Sequence, residues 1–423
     1  MIPDDGKPLK ESFAKRLLFV VLIAQLLACA GQISPQTSYA EQRCWPEFPY
    51  QDGWLGGDAA YSVPLTDTET VWLFGDSFVA ASEQSDRAGS AFIHNSVAVS
   101  RCGRNGDWQI EYTWGRSSDG EPHAFLEHEG ADSWWWLFDG FVHAGRLYLG
   151  LLEVEKTPPQ GPLQLPFSFT GVHLGRIENP AAPPREWRVD VVALASQPTR
   201  PRMLPASTLV ESGDHLYLFS FIDRSDGSYP RGLARLPLRV LDGETRDVSR
   251  SLEYLSRDGS WQAGLDAADA RILMDDTATE MSVRFHPELA LWIAIYNYPD
   301  VGEGFPEQRP SDTVWLRSAP RLEGPWSERQ SLYHVPELSP SYAGGYDPNT
   351  GCYAAKEHPQ FASGRRVTFT YVCNLFTGRD QDPMIVLQRL LVDMGLYRPI
   401  PVAVDLPLHL GDTSERRPDA GEP

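Results

Sequence analysis

A chain of 423 residues with a net charge of −20 is long enough for two average domains or one large all-β domain. Hydrophobic residues make up 42% of it, with 13 Trp and 18 Phe, so a full core can be built. The sequence has no basic run or stripe, which argues against nucleic acid and other polyanions as partners and leaves neutral ones such as glycans easier to accommodate.

The N-terminus carries Lys7, Lys10, Lys15 and Arg16 ahead of Leu17 to Leu27, an apolar run broken only by Gln25. That run has the length of a signal-peptide core and is too short to span a bilayer stably. Leu26-Leu27-Ala28-Cys29 resembles a bacterial lipobox, in which Cys29 becomes the lipidated first residue. Ala28-Cys29-Ala30 also fits ordinary cleavage after an A-x-A pattern. Residues 1–29 are therefore expected to be an export signal with lipobox. The protein is expected in the cell envelope, lipid-anchored at the outer membrane or cell surface, or secreted. Its removal leaves a net charge of about −21. Residues 30–50 read as a tether, 51–409 as the body, and 410–423 as a polar, disordered tail. Apart from Cys29 there are four cysteines, an even number that suits an oxidising compartment. Cys352 and Cys373 flank one predicted hairpin and are a candidate disulfide, which leaves Cys44 with Cys102; three connectivities are open on paper. No C-x-x-C or H-x-x-x-H spacing marks a zinc site. No cofactor or metal is expected, and a structural calcium has no motif of its own.

From residue 51 onward one pattern recurs five times. Its second strands contain Trp72-Leu73-Phe74, Leu147-Tyr148-Leu149, Leu216-Tyr217-Leu218, Leu291-Trp292-Ile293 and Val367-Thr368-Phe369, spaced 75, 69, 75 and 76 residues apart. Turn residues precede them: Asp67, Gly145, Gly213-Asp214, Pro287-Glu288 and Gly364. Third strands are predicted at Asn95–Arg101, Gly171–Ile177, Gly232–Leu238, Thr313–Ser318 and Ile385–Leu391. Helical periodicity is almost absent. Five repeats, each able to form a four-stranded sheet, predict an all-β fold, a five-bladed β-propeller. A β-sandwich would not produce so constant a repeat.

First strands of propeller blades line a central channel, so polar residues at their starts are the place to look for chemistry. The blade-one hairpin turns around Thr66–Glu69, which sets Asp58 nearly opposite Ser77 and beside Asp76. Two close carboxylates push their pKa values apart and can serve as acid and base. The second strands of the other blades end at Glu153, Asp223, Asn297 and Asn374. Glu280 starts the strand Thr279–Arg284 and is costly to bury unless used or paired, with Arg284 as candidate partner. Asp139 sits mid-strand in blade two. Lys356-Glu357-His358 is placed at the start of blade five. Trp134-Trp135-Trp136 opens blade two, and such rings stack on the C–H face of a sugar; Trp135 is the candidate. Asn95, Asp139, Arg284 and His358 complete the expected sugar-binding set. There is no G-x-S-x-G elbow and no glycine-rich phosphate loop. Ser256–Trp261 is similar to a sialidase Asp-box but occurs once and one residue short.

Gly57-Asp58-Ala59-Ala60 with Val71-Trp72-Leu73-Phe74-Gly75-Asp76-Ser77-Phe78 resembles the opening of the bacterial family called domain of unknown function 4185. So do His94–Val99, Glu280–Arg284 with Pro287–Leu289 and Trp292, and His358-Pro359. The similarity runs in patches over about residues 52–395. It implies a five-bladed propeller related in architecture to arabinanases and fructan hydrolases. It also implies the endo-acting D-arabinan hydrolysis of glycoside hydrolase family 183, with the essential acidic pair on Asp58 and Asp76. Glu280 is the reserve acid or pKa modulator. The expected protein is a monomeric glycoside hydrolase acting on a cell-surface or environmental polysaccharide. The alternatives are a glycan-binding, lectin-like propeller and an envelope scaffold.

Overall fold

A computed structural model of the chain describes residues 44–81, 84–160, 165–297, 311–378, 381–407 and 410. The expected export segment, its Cys29, tether residues 30–43 and tail residues 411–423 lie outside these. Among the described residues no helix is long and apolar enough to cross a membrane.

Among the described residues, five antiparallel sheets of three or more strands follow one another along the chain, with a two-stranded ribbon, Gly115–Arg116 with Pro122–His123, between the first two. Their first strands are Trp54–Pro64, Ser133–His143, Arg202–Ser212, Ser282–His286 and Thr350–Glu357. Each contacts the next, and the fifth returns to the first, which closes a ring of five blades around a channel. The second strands are Glu69–Val79, Arg146–Gln160, His215–Asp223, Leu291–Asn297 and Arg366–Leu375. Side chains alternate across each strand, so one strand feeds two layers. Val71 and Leu73 enter the core shared with Leu137 and Leu149 of blade two. Trp72 and Phe74 point the other way, into a cluster with Phe48, Trp54 and Tyr112. The triplets of blades one, two and five are therefore buried on both faces, while Tyr217 of blade three and Leu291 and Trp292 of blade four are partly exposed.

The third strands of blades one to four fall at Ser96–Cys102, Leu165–Ile177, Arg231–Pro237 and Thr313–Ala319. Blade five departs from expectation. Ile385–Leu391 lies in an α-helix, Pro383–Val392. Asp382 caps it by accepting the Met384 N–H at 2.9 Å, and Pro383 occupies the first turn, where its missing N–H costs nothing. The third strand of blade five is Ile400–Asp405, paired to Arg366–Tyr371.

Both disulfides form, Cys44–Cys102 with Cα atoms 5.6 Å apart and Cys352–Cys373 with 4.0 Å. The second pair sits directly opposite on the first two strands of blade five. Part of the expected tether is fastened to blade one. Beyond the Cys44 link, the Phe48 ring is buried against Trp72 at 4.8 Å, edge to face.

Arg87 joins the ends of the propeller. It is fully buried, and its guanidinium donates to the carbonyls of Leu55 (2.8 Å), Leu390 (2.7 Å) and Asp393 (2.8 Å) and to the Tyr50 hydroxyl (3.2 Å). It also donates to the Leu396 carbonyl. A cation at a helix C-terminus satisfies orphan carbonyls and favours the helix dipole. Arg87→Met strands several of these acceptors. It is expected to lower the unfolding free energy by about 3 kcal/mol, read as a lower urea midpoint at unchanged m-value; an unchanged midpoint would show the helix holds without Arg87.

Candidate active site

The first strand of blade one is irregular where Asp58 sits. Its pairing with the second strand shifts register between Trp54 and Gly57, Gly57 and Ala59, and Ala59 and Tyr61. Ala59 and Ala60 have φ of 62° and 59°. Left-handed backbone costs a residue with a side chain roughly 1–2 kcal/mol, and such strain collects at functional sites. Gly57 pairs with Ser77 and Ala59 with Phe74, so Asp58 falls in the bulge against Gly75. A Cβ on Gly75 would meet Asp58 Oδ1 at 2.5 Å, which explains a glycine before Asp76.

Asp58 Oδ2 accepts hydrogen bonds from the Tyr353 hydroxyl at 2.8 Å and the Tyr397 hydroxyl at 3.3 Å. Burial, with Asp76 and then Glu280 close by, holds its carboxyl well above the usual carboxylate range. Asp76 has a different setting. Its Oδ1 accepts the Trp136 indole N–H at 2.8 Å and lies 3.0 Å from His94 Nδ1. The Asp76 side chain is 18% exposed. Glu280 Oε1 lies 3.0 Å from the ammonium of Lys356. That ammonium also donates to the carbonyls of Ala354, at 2.7 Å, and Ala59. Burial lowers the Lys356 pKa, against the pull of Glu280. Asp58, Asp76 and Glu280 thus meet in one electrostatic cluster, drawn from blades one and four.

The other residues read from sequence are placed differently. Arg284 does not pair Glu280. It binds Asp139, at 3.2 Å, and Asp139 also accepts the Leu209 N–H at 3.0 Å. Asp139 is fully buried, so the pair is a tie inside the channel rather than a free sugar contact. Asn95 is fully buried too; its amide donates to the carbonyls of Leu126 and Trp135 and its oxygen accepts the Leu126 N–H. His358 has Ser62 Oγ 2.7 Å from Nδ1 and Thr370 Oγ1 2.8 Å from Nε2, and burial pushes its imidazole well below the usual range. It is a core histidine at the end of its strand, not a rim residue at the start. Trp135 is buried in the core, whereas its neighbours Trp134 and Trp136 face the acids. Trp134 stacks on His94 with ring centres 4.3 Å apart. Of the polar second-strand ends, Asp223 is held by Arg200 and Arg202 at 2.8 Å, Glu153 lies 3.3 Å from His128, and Asn297 donates to the Cys352 carbonyl.

Sequence reasoning passed over Tyr353 and Tyr397, named His94 and Trp136 only within longer stretches, with Trp135 as the candidate, and placed Lys356 without a role. Alternation carried the signal for two of them. Trp136 is out of phase with Trp135, and Lys356 interrupts the otherwise apolar Tyr353-Ala354-Ala355. Among the described residues one group has metal-like spacing, Glu337 with Cys352 and Cys373, and both sulfurs are taken by the disulfide.

The family described as Domain of unknown function (DUF5005) matches residues 48–385. The chain belongs to this family. The description differs from the one drawn from the Leu-Phe-Gly-Asp patch; the five-bladed propeller which that resemblance implies is the fold of the structure. No curated protein sequence matches this DUF5005 chain. A candidate hydrolase from Bacteroides ovatus is similar in structure, with TM-score 0.60, 16% identity, and coverage of 83% of this chain and 86% of that one. At that identity the likeness is one of fold. A GH43_1 enzyme from Xanthomonas citri has TM-score 0.43 and 13% identity over 85% of this chain and 90% of its own. An exo-1,5-alpha-L-arabinanase from a bovine ruminal metagenomic library has TM-score 0.41 and 10% identity over 78% and 91%. At those scores neither carries weight for the site.

The Asp58 setting has a cost in stability whose sign is fixed. With its pKa raised in the native state, the native protein holds a proton that the unfolded chain has released above its ordinary value of ~4. Stability attributable to Asp58 is complete below that value and is lost as pH rises through the folded pKa. Asp58→Asn is therefore expected to melt higher than the wild type at pH 7, with the gap closing towards pH ~4. Equal melting temperatures across this range would mean Asp58 is ionised in the folded protein.

Proposed function

We propose that this protein is an exported glycoside hydrolase in which Asp58 is the general acid and Asp76 the base or nucleophile. The observation that carries the reading is the unequal treatment of two neighbouring carboxyls. Asp58 is crowded, desolvated and flanked by Asp76 and Glu280, conditions that keep it protonated. Asp76 faces the indole N–H of Trp136 and the His94 ring, partners suited to a carboxylate. A protonated Asp58 would give its proton to the leaving oxygen of the sugar. Asp76 would attack the anomeric carbon or activate a water for that attack. The half-exposed His94 and Trp134 rings offer a stacking surface beside the acids for a sugar's C–H face.

The finer reading is an endo-acting, D-arabinanase-like furanosidase working inside an envelope or environmental polysaccharide, as the resemblance on the Asp58 and Asp76 patches implies. Export through residues 1–29 and lipidation of Cys29 belong to the same proposal, as does a monomeric state. The description of the Bacteroides ovatus protein of this fold as a candidate hydrolase agrees with it.

The test is reducing-end release by the soluble domain from Gly31 onward on arabinans, arabinogalactans and other envelope glycans. Wild type should release oligosaccharides, and folded Asp58→Asn and Asp76→Asn should each lose more than ~100-fold, as expected for a positioned acid or base. Saturable glycan binding without product would replace the enzyme by a lectin-like propeller. The pH profile supplies a further prediction. The alkaline limb of kcat/KM should follow Asp58, so activity should persist well above the ordinary carboxylate range and fall only as Asp58 ionises. A rate that instead dies near pH ~4–5 would assign the acid elsewhere.

A further inference from the structure

Lys356 is 1% exposed, so no substrate can reach it, yet it binds Glu280 and the backbone beside Asp58. An ammonium has three N–H donors and no acceptor. All three are used, and each goes to a different blade: the Ala59 carbonyl of blade one, Glu280 before the first strand of blade four at 3.0 Å, and the Ala354 carbonyl of its own blade five at 2.7 Å. The Tyr61 ring closes the socket, its centre 4.4 Å from the nitrogen. The two residues whose carbonyls accept these bonds share an unusual conformation. Ala59 has φ 62° and Ala354 has φ 63°, and both sit where the pairing of their strands slips, around Asp58 in blade one and between Tyr353 and Lys356 in blade five. Two separate bulges thus aim their carbonyl oxygens at one cation. The residues next to these two alanines are Asp58 and Tyr353, which hydrogen-bond to each other at 2.8 Å.

We propose that Lys356 is the positioning residue of the site, locking the Asp58 bulge of blade one and the Tyr353 bulge of blade five to Glu280 of blade four. This rests on the reading of Asp58 as the acid. Glu280 acts as the counter-charge that makes burial of the ammonium tolerable, since a buried cation without a partner is strongly disfavoured. Arginine cannot replace the lysine here, because a planar fork cannot address three acceptors disposed around a point. The charged and titratable groups facing Asp58 are Asp76 on its own blade, Glu280 from blade four, Tyr353 and Lys356 from blade five, and Tyr397 beyond it. Removing the Lys356 charge raises the Asp58 pKa further; removing the Glu280 charge lowers it.

The experiment compares wild type, Lys356→Met, Lys356→Arg and Glu280→Gln by steady-state kinetics across pH, with Asp58 titration followed by carbon-13 NMR of aspartate-labelled protein. Lys356→Met is expected to lose at least ~100-fold in kcat with KM changed less than ~3-fold, and to move the alkaline limb and the Asp58 midpoint to higher pH. Lys356→Arg should not restore kcat. Glu280→Gln should move both to lower pH, and it serves if Lys356→Met does not fold. A Lys356→Met enzyme with kcat within threefold of wild type and an unmoved limb overturns the proposal, as does an Asp58 midpoint unmoved in every folded variant. If wild type cuts no glycan, the hydrolase reading fails, while the Asp58 midpoints still decide whether Lys356 governs that carboxyl.

Discussion

The first strand of each blade has one edge paired to its own sheet and the other turned to the channel. An unpaired edge carries backbone N–H and C=O groups that must find partners. In this protein the partners are polar side chains reaching across the ring. Tyr61 of blade one donates to the Ser207 carbonyl of blade three at 2.8 Å, and Thr208 of blade three to the Met281 carbonyl before blade four at 2.7 Å. Asp139 of blade two takes the Leu209 N–H and the Arg284 guanidinium. His286 and Glu357 tie blades four and five at 3.1 Å. Lys356 ties three blades at once. Hydroxyls and charged groups thus tie the strands around the channel to one another, and the Lys356 socket borders the acid cluster.

The same constraint accounts for the chemistry at Asp58. A carboxyl in a bulge, with backbone in the left-handed region and a glycine required opposite, is an expensive arrangement for a strand. It persists because the surrounding bonds over-determine it, from Tyr353, Tyr397 and the Lys356 socket. Desolvation and two neighbouring acids then favour the neutral form of Asp58. Stability is given up for a carboxyl biased towards its neutral form.

The propeller was legible because its signal is repetition, and repetition survives errors in single elements. Segments such as Val71-Trp72-Leu73-Phe74 are apolar on both faces, as strands stacked between blades must be. The helix at Pro383–Val392 escaped because its residues, Met384 to Val392, read equally as a buried strand; the Asp382-Pro383 start was the available cue. The proximity of Asp58 and Asp76 was readable from hairpin geometry, but the bulge was not, since it depends on a lysine nearly 300 residues away. Parity decided other cases. Counting alternate residues from Val154, the partner of Trp134, sends Trp134 and Trp136 to one face and Trp135 to the other. Asn95, Asp139 and His358 look like site residues in sequence because burial is a tertiary property. Only the packed ring reveals that their hydrogen bonds are already spent.

The seam between the last and first blades is where these features converge. Blade five has three strands, and the chain between its second and third strands supplies Tyr397, with φ 54°, whose N–H donates to the Cys373 carbonyl and whose hydroxyl reaches Asp58. Arg87 of blade one grips the carbonyl of Leu396, the residue before it. Tyr353 and Lys356 also come from blade five. The environment that favours the neutral form of Asp58 is therefore assembled from opposite ends of the described chain, and it exists only when the ring is closed. Closure both completes the fold and brings the blade-five tyrosines and lysine to the Asp58 bulge.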